Sequence, residues 1–383
     1  MSAKTLYTPI LKGKANDLKA LGKLPRSLTP HVHPLVELLS PNEGETVEAS
    51  CVRFAHQLQK HCPLQPVSVD LHSIAPSYKT DDGSPALEAL CLSLRGLGIS
   101  FTPVFGLDHE PELWARVGKI AALTGRGLTF RLKIDDIEVG EDTIADLIER
   151  LQDFRIPAGE TNLLIDLESV GSLDAVTLVR LRGLTQDFVE AALSAANFRL
   201  VSVIGSSMPK DVSEVPKDGC VPYYRQEMPL WLNVASGVRS AHIAFGDYGT
   251  IHPNFSDKII ATNANAKIRY TKGLHQHIFR GYSLKQGQKY GQYHDLAKRV
   301  VESSIYINRD HSYGDDYVWR CANREVGCGN LGTWVEVDMN HHMVYVAAQL
   351  PKLVNQVAAG GSTNDLLAFA AQQNGAAGCL ERP

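Results

Sequence analysis

Four carboxylates in this chain stand at the ends of apolar, β-branched runs: Glu37 in HPLVELL, Asp70 in VSVDLHS, Asp166 in LLIDLES and Asp247 in IAFGDYG. A carboxylate that follows an apolar run directly needs a partner or a task, because an unpaired buried charge is expensive. Four converging on one site could hold a divalent cation such as Mg²⁺ or Mn²⁺ through oxygen ligands. They could equally perform general acid–base work, or form a structural ion-pair network. They are the catalytic candidates. Lysines occupy comparable positions, Lys12 and Lys14 in PILKGK and Lys133 in FRLKID, and could bind anionic oxygens. Ser206 in VIGSSMPK and Tyr248 in FGDYG complete the substrate-binding candidates, with His72, Asp135, Glu168 and Ser207 flanking the same run ends. The two Gly/Ser-containing stretches are of the kind that holds phosphate through backbone N–H groups, although a tight turn accounts for the glycines as well.

Other signatures are absent or weak. There is no GxSxG elbow, HExxH, P-loop or GxGxxG followed by an acidic residue, so standard hydrolase, kinase and dinucleotide readings lose most of their support. Cys321 and Cys328 are too far apart for a zinc knuckle, and no second pair answers them. His341 and His342 are adjacent, so on a strand they face opposite ways and cannot easily share an ion. His275 and His277 would share a strand face, which suits a metal but suits two ordinary surface histidines better. One segment interleaves Arg269, Lys272, Arg280, Lys285 and Lys289 with Tyr270, Phe279, Tyr282, Tyr290 and Tyr293. That composition can track phosphates and stack bases, but an amphipathic connector is the favoured reading.

The elements that must position these residues alternate regularly. Strand-like runs fall at 6–12, 32–38, 67–72, 100–105, 128–134, 162–167, 199–204 and 242–247. Most are apolar on both alternations, as in a parallel sheet covered on both faces. Helical stripes lie between them: Val52, Phe54, Ala55 and Leu58; Leu87, Leu90, Cys91 and Leu94; Leu113, Trp114, Val117 and Ile120; Ile144, Leu147, Ile148 and Leu151; and the longest over 173–196. Ser84-Pro85 and Asp142-Thr143 read as helix starts, Gly98 and Gly125 as helix ends. Eight strands with crossovers predict an α/β chain built on a parallel (β/α)8 TIM-type barrel, with an open doubly wound sheet as the alternative. The reactive groups would then gather at the C-terminal mouth.

Beyond Asp247 the pattern changes. The chain divides into a barrel over 1–252, a C-terminal α+β extension over 253–357 packed on it, and a Gly/Ala/Gln-rich tail over 358–383. The extension reads as a strand at 266–270, a helix around 291–303, a loop-like stretch over 316–334, and then NHHMVYVAAQLPKLV as a strand or helix start. The segment 208–228 also reads as loop.

Composition fits a globular protein: 383 residues, 44% hydrophobic and 21% charged. A formal net charge of −4 offers no global basic field for coating nucleic acid. The opening has no signal-like apolar stretch, no run reaches membrane-spanning length, and seven sparse cysteines argue against a disulfide-stapled fold. Cytoplasmic residence without membrane association is expected.

The residues also resemble a family. YTPILKGK followed by HPLVELL is similar to the opening of the beta protein family of bacteriophage and bacterial proteins. So are Val69–Leu71, Ile165–Leu167, Gly246–Tyr248, Ile268–Lys272, Tyr313–Asp315, Gly329-Asn330, Trp334 and His341-His342. The resemblance runs from Tyr7 to about Val344. One departure is Ala15-Asn16-Asp17, where the family is expected to carry Gly-Glu. The resemblance implies a barrel-type fold in a phage or mobile-element setting, linked to phage–host conflict, and brings no reaction with it.

Two functional expectations lead, ahead of a third in which the barrel acts on a small cytosolic metabolite. In the first, the barrel acts on or binds a phosphate-bearing ligand, a nucleotide or nucleic acid, in the manner of a metal-assisted phosphate-ester hydrolase. In the second, it is a non-catalytic sensor or adaptor of an antiphage system that docks a partner protein.

Overall fold

The computed structural model of the chain describes residues 4–63, 65–71, 79–107, 109, 111–238, 241–255 and 264–372. Eight parallel strands close into a barrel: β1 (Tyr7–Leu11), β2 (Leu35–Glu37), β3 (Val67–Asp70), β4 (Phe101–Phe105), β5 (Thr129–Leu132), β6 (Asn162–Ser169), β7 (Leu200–Ser206) and, after one strand outside the barrel, β9 (Ala244–Asp247). The eight sequence runs are these eight strands, and β9 pairs with both β7 and β1, so the sheet closes rather than staying open. Of the expected strand ends, only His72 lies outside the described residues.

Strand alternation sorts side chains into an interior and a wall. The wall residues, among them Val36, Val69, Phe130, Leu163, Ile165 and Val203, share one apolar cluster with the crossover helices. The interior is layered. Its floor is a hydroxyl network, Ser68–Thr102 at 3.0 Å, Ser68–Thr129 at 2.8 Å and Asn162 Nδ2 to Thr129 at 2.9 Å. Above it lie Ile10, Leu35, Val104, Leu164, Ile204 and Ala244. Charged side chains form the top layer.

The first crossover helix, Ala15–Gly22, is only 8 residues long. The gap in the wall is covered from outside by a 28-residue helix, Leu331–Ala358. Its Met339, Met343, Val346 and Leu350 belong to the same buried cluster as Leu18 and Leu21. Asn340 Nδ2 donates to the Ala20 carbonyl at 2.9 Å, and Lys23 pairs with Glu336. The expectation for 340–354 thus resolves to helix, and this helix, not Ala175–Ala195, is the longest described.

The remaining strands, β8 (Gly219–Tyr224), β10 (Asn265–Lys272) and β11 (His275–Ser283), make an antiparallel sheet in the order β10-β11-β8. The 208–228 segment is therefore not all loop, because β8 leaves the barrel between β7 and β9 to pair with the extension. Likewise 316–334 contains most of a helix, Tyr313–Ala322, capped by the Ser312 side chain. Part of the tail is a helix, Thr363–Gln372, and 373–383 lie outside the described residues. Among the described residues no helix is long and apolar enough to cross a membrane.

Candidate functional site

The top layer of the barrel is built around Arg131, which points inward from β5 two residues before Lys133. Its guanidinium donates to Glu37 Oε1 at 2.8 Å, Asp70 Oδ2 at 2.5 Å and Asp166 Oδ2 at 2.7 and 2.9 Å. It also donates to the Tyr248 hydroxyl at 2.8 Å, which in turn donates to Asp166 at 2.6 Å. Lys12 reaches the other oxygen of Glu37 at 2.5 Å. All six side chains are buried. Burial alone would lower the Arg131 pKa, but Tyr248, Asp166, Glu37 and Asp70 together raise it well above the usual arginine value. Burial and then Asp166 push the Tyr248 phenol well above its ordinary range, so it remains a donor.

Three of the four candidate carboxylates are thus brought together, along with Lys12 and Tyr248. The cation they surround is Arg131, which sequence reasoning missed. A divalent ion at the same place would have to displace a guanidinium that already makes charge-assisted bonds to all three carboxylates. The available signal was a lone arginine in an apolar strand, TFRL, with the same parity as Lys133.

Asp247 belongs elsewhere. It faces outward from β9, where its Oδ1 accepts from the Tyr7 hydroxyl at 2.6 Å and the Gly249 N–H at 2.9 Å. Its Oδ2 lies 2.9 Å from His342 Nε2 and 3.6 Å from Arg225. The Asp247 carboxylate can only accept, so the proton of the neutral His342 ring sits on Nε2 and Nδ1 accepts from the Thr271 hydroxyl at 2.7 Å. Burial holds the His342 pKa below its ordinary value against the pull of Asp247. Burial also raises Glu227, opposed by Arg225 and by the Ser207 hydroxyl, which donates to Glu227 at 2.6 Å. This outer cluster joins barrel to extension. Arg225 lies in a stretch that reads as loop and His342 in one that reads as strand or helix start, so neither side chain had a direction to follow.

The loops singled out for phosphate are largely engaged with themselves. Ser206 Oγ accepts the Met208 N–H at 3.2 Å, Ser207 Oγ accepts the Gln226 N–H at 2.9 Å, and the Gly249 N–H serves Asp247. The outer rim carries lysines together with the acidic Glu168. Lys133, 35% exposed, pairs with Glu168 at 2.5 Å. Lys14 lies 4.3 Å above the exposed Phe255 ring. The intervening Gly13 has φ +63°, and a Cβ there would come 2.4 Å from the Glu37 carbonyl oxygen. His252 is held below its ordinary pKa by burial and then by Lys210 and Lys12, with Glu168 opposing. Glu168 itself has φ +54°, a left-handed conformation strained for a non-glycine residue and enriched at functional sites.

The aromatic and basic residues over 269–293 divide between core or structural contacts and an exposed set, Tyr282, Lys285 and Lys289. Tyr270, Phe279 and Tyr293 belong to the buried cluster of the extension, and Arg280 donates to the Ser213 and Val215 carbonyls at 2.9 and 2.6 Å.

Among solved structures, the chain is similar to one described as the crystal structure of a CdALR mutant, at 12% identity and a TM-score of 0.31, over 71% of this chain and 68% of that one. No curated protein matches. A family model does: residues 7–348, nearly the whole chain, match that of the Beta protein family, and the chain belongs to it.

Proposed function

We propose that the chain binds a phosphate-bearing ligand, a nucleotide or nucleic-acid end, at the rim of the C-terminal barrel mouth, in the cytoplasm of cells where phage and host compete. The observation that carries this reading is the gathering of Lys14, Lys133, Lys210 and His252 at that rim. Phe255 beside Lys14 adds an exposed ring on which a base can stack. Lysine ammonium groups recognise phosphate as point charges and leave its geometry free. Glu37, Asp70 and Asp166 act through Arg131, holding the rim strands in register. This geometry supports binding rather than metal-assisted hydrolysis, since each of these carboxylates already receives a bond from Arg131.

The test is thermal unfolding of the full chain with ATP, GTP, a short single-stranded oligonucleotide or inorganic phosphate. A ligand that binds only the folded state raises the midpoint, by about 2.7 kcal/mol of stability at a hundredfold excess over Kd. The expected result is a rise with at least one nucleotide or oligonucleotide, abolished by combined Lys14→Gln and Lys133→Gln while the ligand-free midpoint stays near wild type. A rise that survives both changes places binding elsewhere. No rise with any ligand favours the adaptor reading, and the search would turn to a partner protein.

A further inference from the structure

We propose that His311, Asp315 and His341, in the extension and apart from the barrel mouth, form a binding site for a divalent transition-metal ion of the zinc type. One ligand atom from each of the three lies within 4.8 Å of the others. They come from different elements: His311 from the turn before helix Tyr313–Ala322, Asp315 from its first turn, and His341 from the long covering helix.

The surroundings are arranged as metal sites usually are. His341 Nε2 is 2.9 Å from the Thr271 carbonyl, which orients the ring, and Nδ1 hydrogen-bonds to Asp315 Oδ2, also 2.9 Å away, so a bound ion takes the place of the Nδ1 proton. A backbone acceptor on the non-ligating nitrogen is the usual outer-shell partner of a metal-bound histidine. Asp315 is held on both oxygens, by the Tyr270 hydroxyl on Oδ1 at 2.5 Å and the Ser312 hydroxyl on Oδ2 at 2.5 Å. Tyr270 also stacks on His341 with ring centroids 3.8 Å apart, which locks the imidazole plane.

The second, independent observation is His311. Its Nε2 is buried and has no hydrogen-bond partner among the described residues. An orphaned buried nitrogen is a cost that a bound ion or water removes. Two imidazoles and one carboxylate suit Zn²⁺, Co²⁺ or Fe²⁺ far better than Mg²⁺ or Ca²⁺, and three protein ligands leave a position for water. His342, the neighbour of His341 in sequence, takes no part, because one helical step turns it about 100° away toward Asp247. Lys272 stands near His311 and opposes a cation, which predicts moderate affinity.

The experiment uses the full chain, stripped with a chelator and dialysed against Zn²⁺ or Mg²⁺. Wild type should retain one equivalent of zinc and melt higher with it, and Mg²⁺ should do neither. His311→Ala removes a side chain whose Nε2 has no partner among the described residues, so it should fold and melt like metal-free wild type yet retain no zinc. Equal zinc uptake by His311→Ala would overturn the proposal, because the ion would then sit on other histidines. A readout that needs no variant is the visible absorption of added Co²⁺. Intense bands of a low-coordinate nitrogen–oxygen site are expected, and the pale spectrum of hydrated Co²⁺ alone would equally sink the idea.

Discussion

Arg131 sits where three buried carboxylates would otherwise repel one another, so its removal is not the loss of a single bond. Arg131→Met fills similar space with an apolar chain and takes the shared cation from Glu37, Asp70 and Asp166, of which Glu37 keeps Lys12. Breaking a buried ion pair from one side costs about 3–5 kcal/mol, and here one group serves three partners. The expected outcome is a fall in urea-unfolding stability of at least that size, read from the denaturation midpoint. A change below about 1 kcal/mol, well under that cost, would show that the carboxylates re-pair or become protonated without penalty. The carboxylates at this layer were legible in the sequence because each ends an apolar run. Their cation was not, because an arginine inside a strand looks the same whether it points into a barrel or out to solvent. The grouping of Asp247 with the others failed for a related reason. It follows Phe245 by two residues and so shares that residue's outward parity, whereas Tyr248 points inward.

At the scale of elements, the eight barrel strands were readable because burial on both faces leaves continuous apolar runs. Strands β8 and β11 were not: GCVPYY and HQHIFRGYS carry the mixed polarity of a sheet with only partial cover. The long helix was obscured by what it buries. Asp338, Asn340, His341, His342 and Gln349 are all within the interior, so its inner face does not read as an apolar stripe. Asn340 is the residue to test. It donates to the Ala20 carbonyl at 2.9 Å and accepts the Gly314 N–H at 3.0 Å, so it ties the covering helix to the first crossover helix and to Tyr313–Ala322 at once. Asn340→Ala leaves both backbone groups without this partner, at about 1–3 kcal/mol each. Hydrogen exchange should show faster opening of 313–322 and of 331–358, with the barrel strands little changed. Uniform acceleration across the chain would mean the contact is global rather than local.

For the whole molecule, barrel wall and covering helix share one apolar cluster, so acid should unfold both together. His33, His242 and His277 are each held at about 4 by burial, helped by Arg199 beside His33, Lys4 beside His242 and His275 beside His277. A histidine whose folded pKa is depressed contributes stability that is present above its unfolded value and lost as pH falls toward the folded one. The window therefore runs from roughly pH 6.5 down to 4, and each pH unit within it weakens the fold by about 1.4 kcal/mol for each such histidine. Far-UV circular dichroism and the fluorescence of Trp114, Trp231 and Trp334 should follow the same transition. Two separated transitions would mean that barrel and extension are independent units. The path of β8 adds a constraint of timing. The ribosome completes this strand before β9 has sealed the barrel, and its pairing partner, β11, begins at His275, well after Tyr224. A nascent chain must carry that open strand edge through synthesis, and a pause between 224 and 275 lengthens the interval in which it can join the wrong neighbour. Codon choice and chaperone access over that stretch then bear on yield.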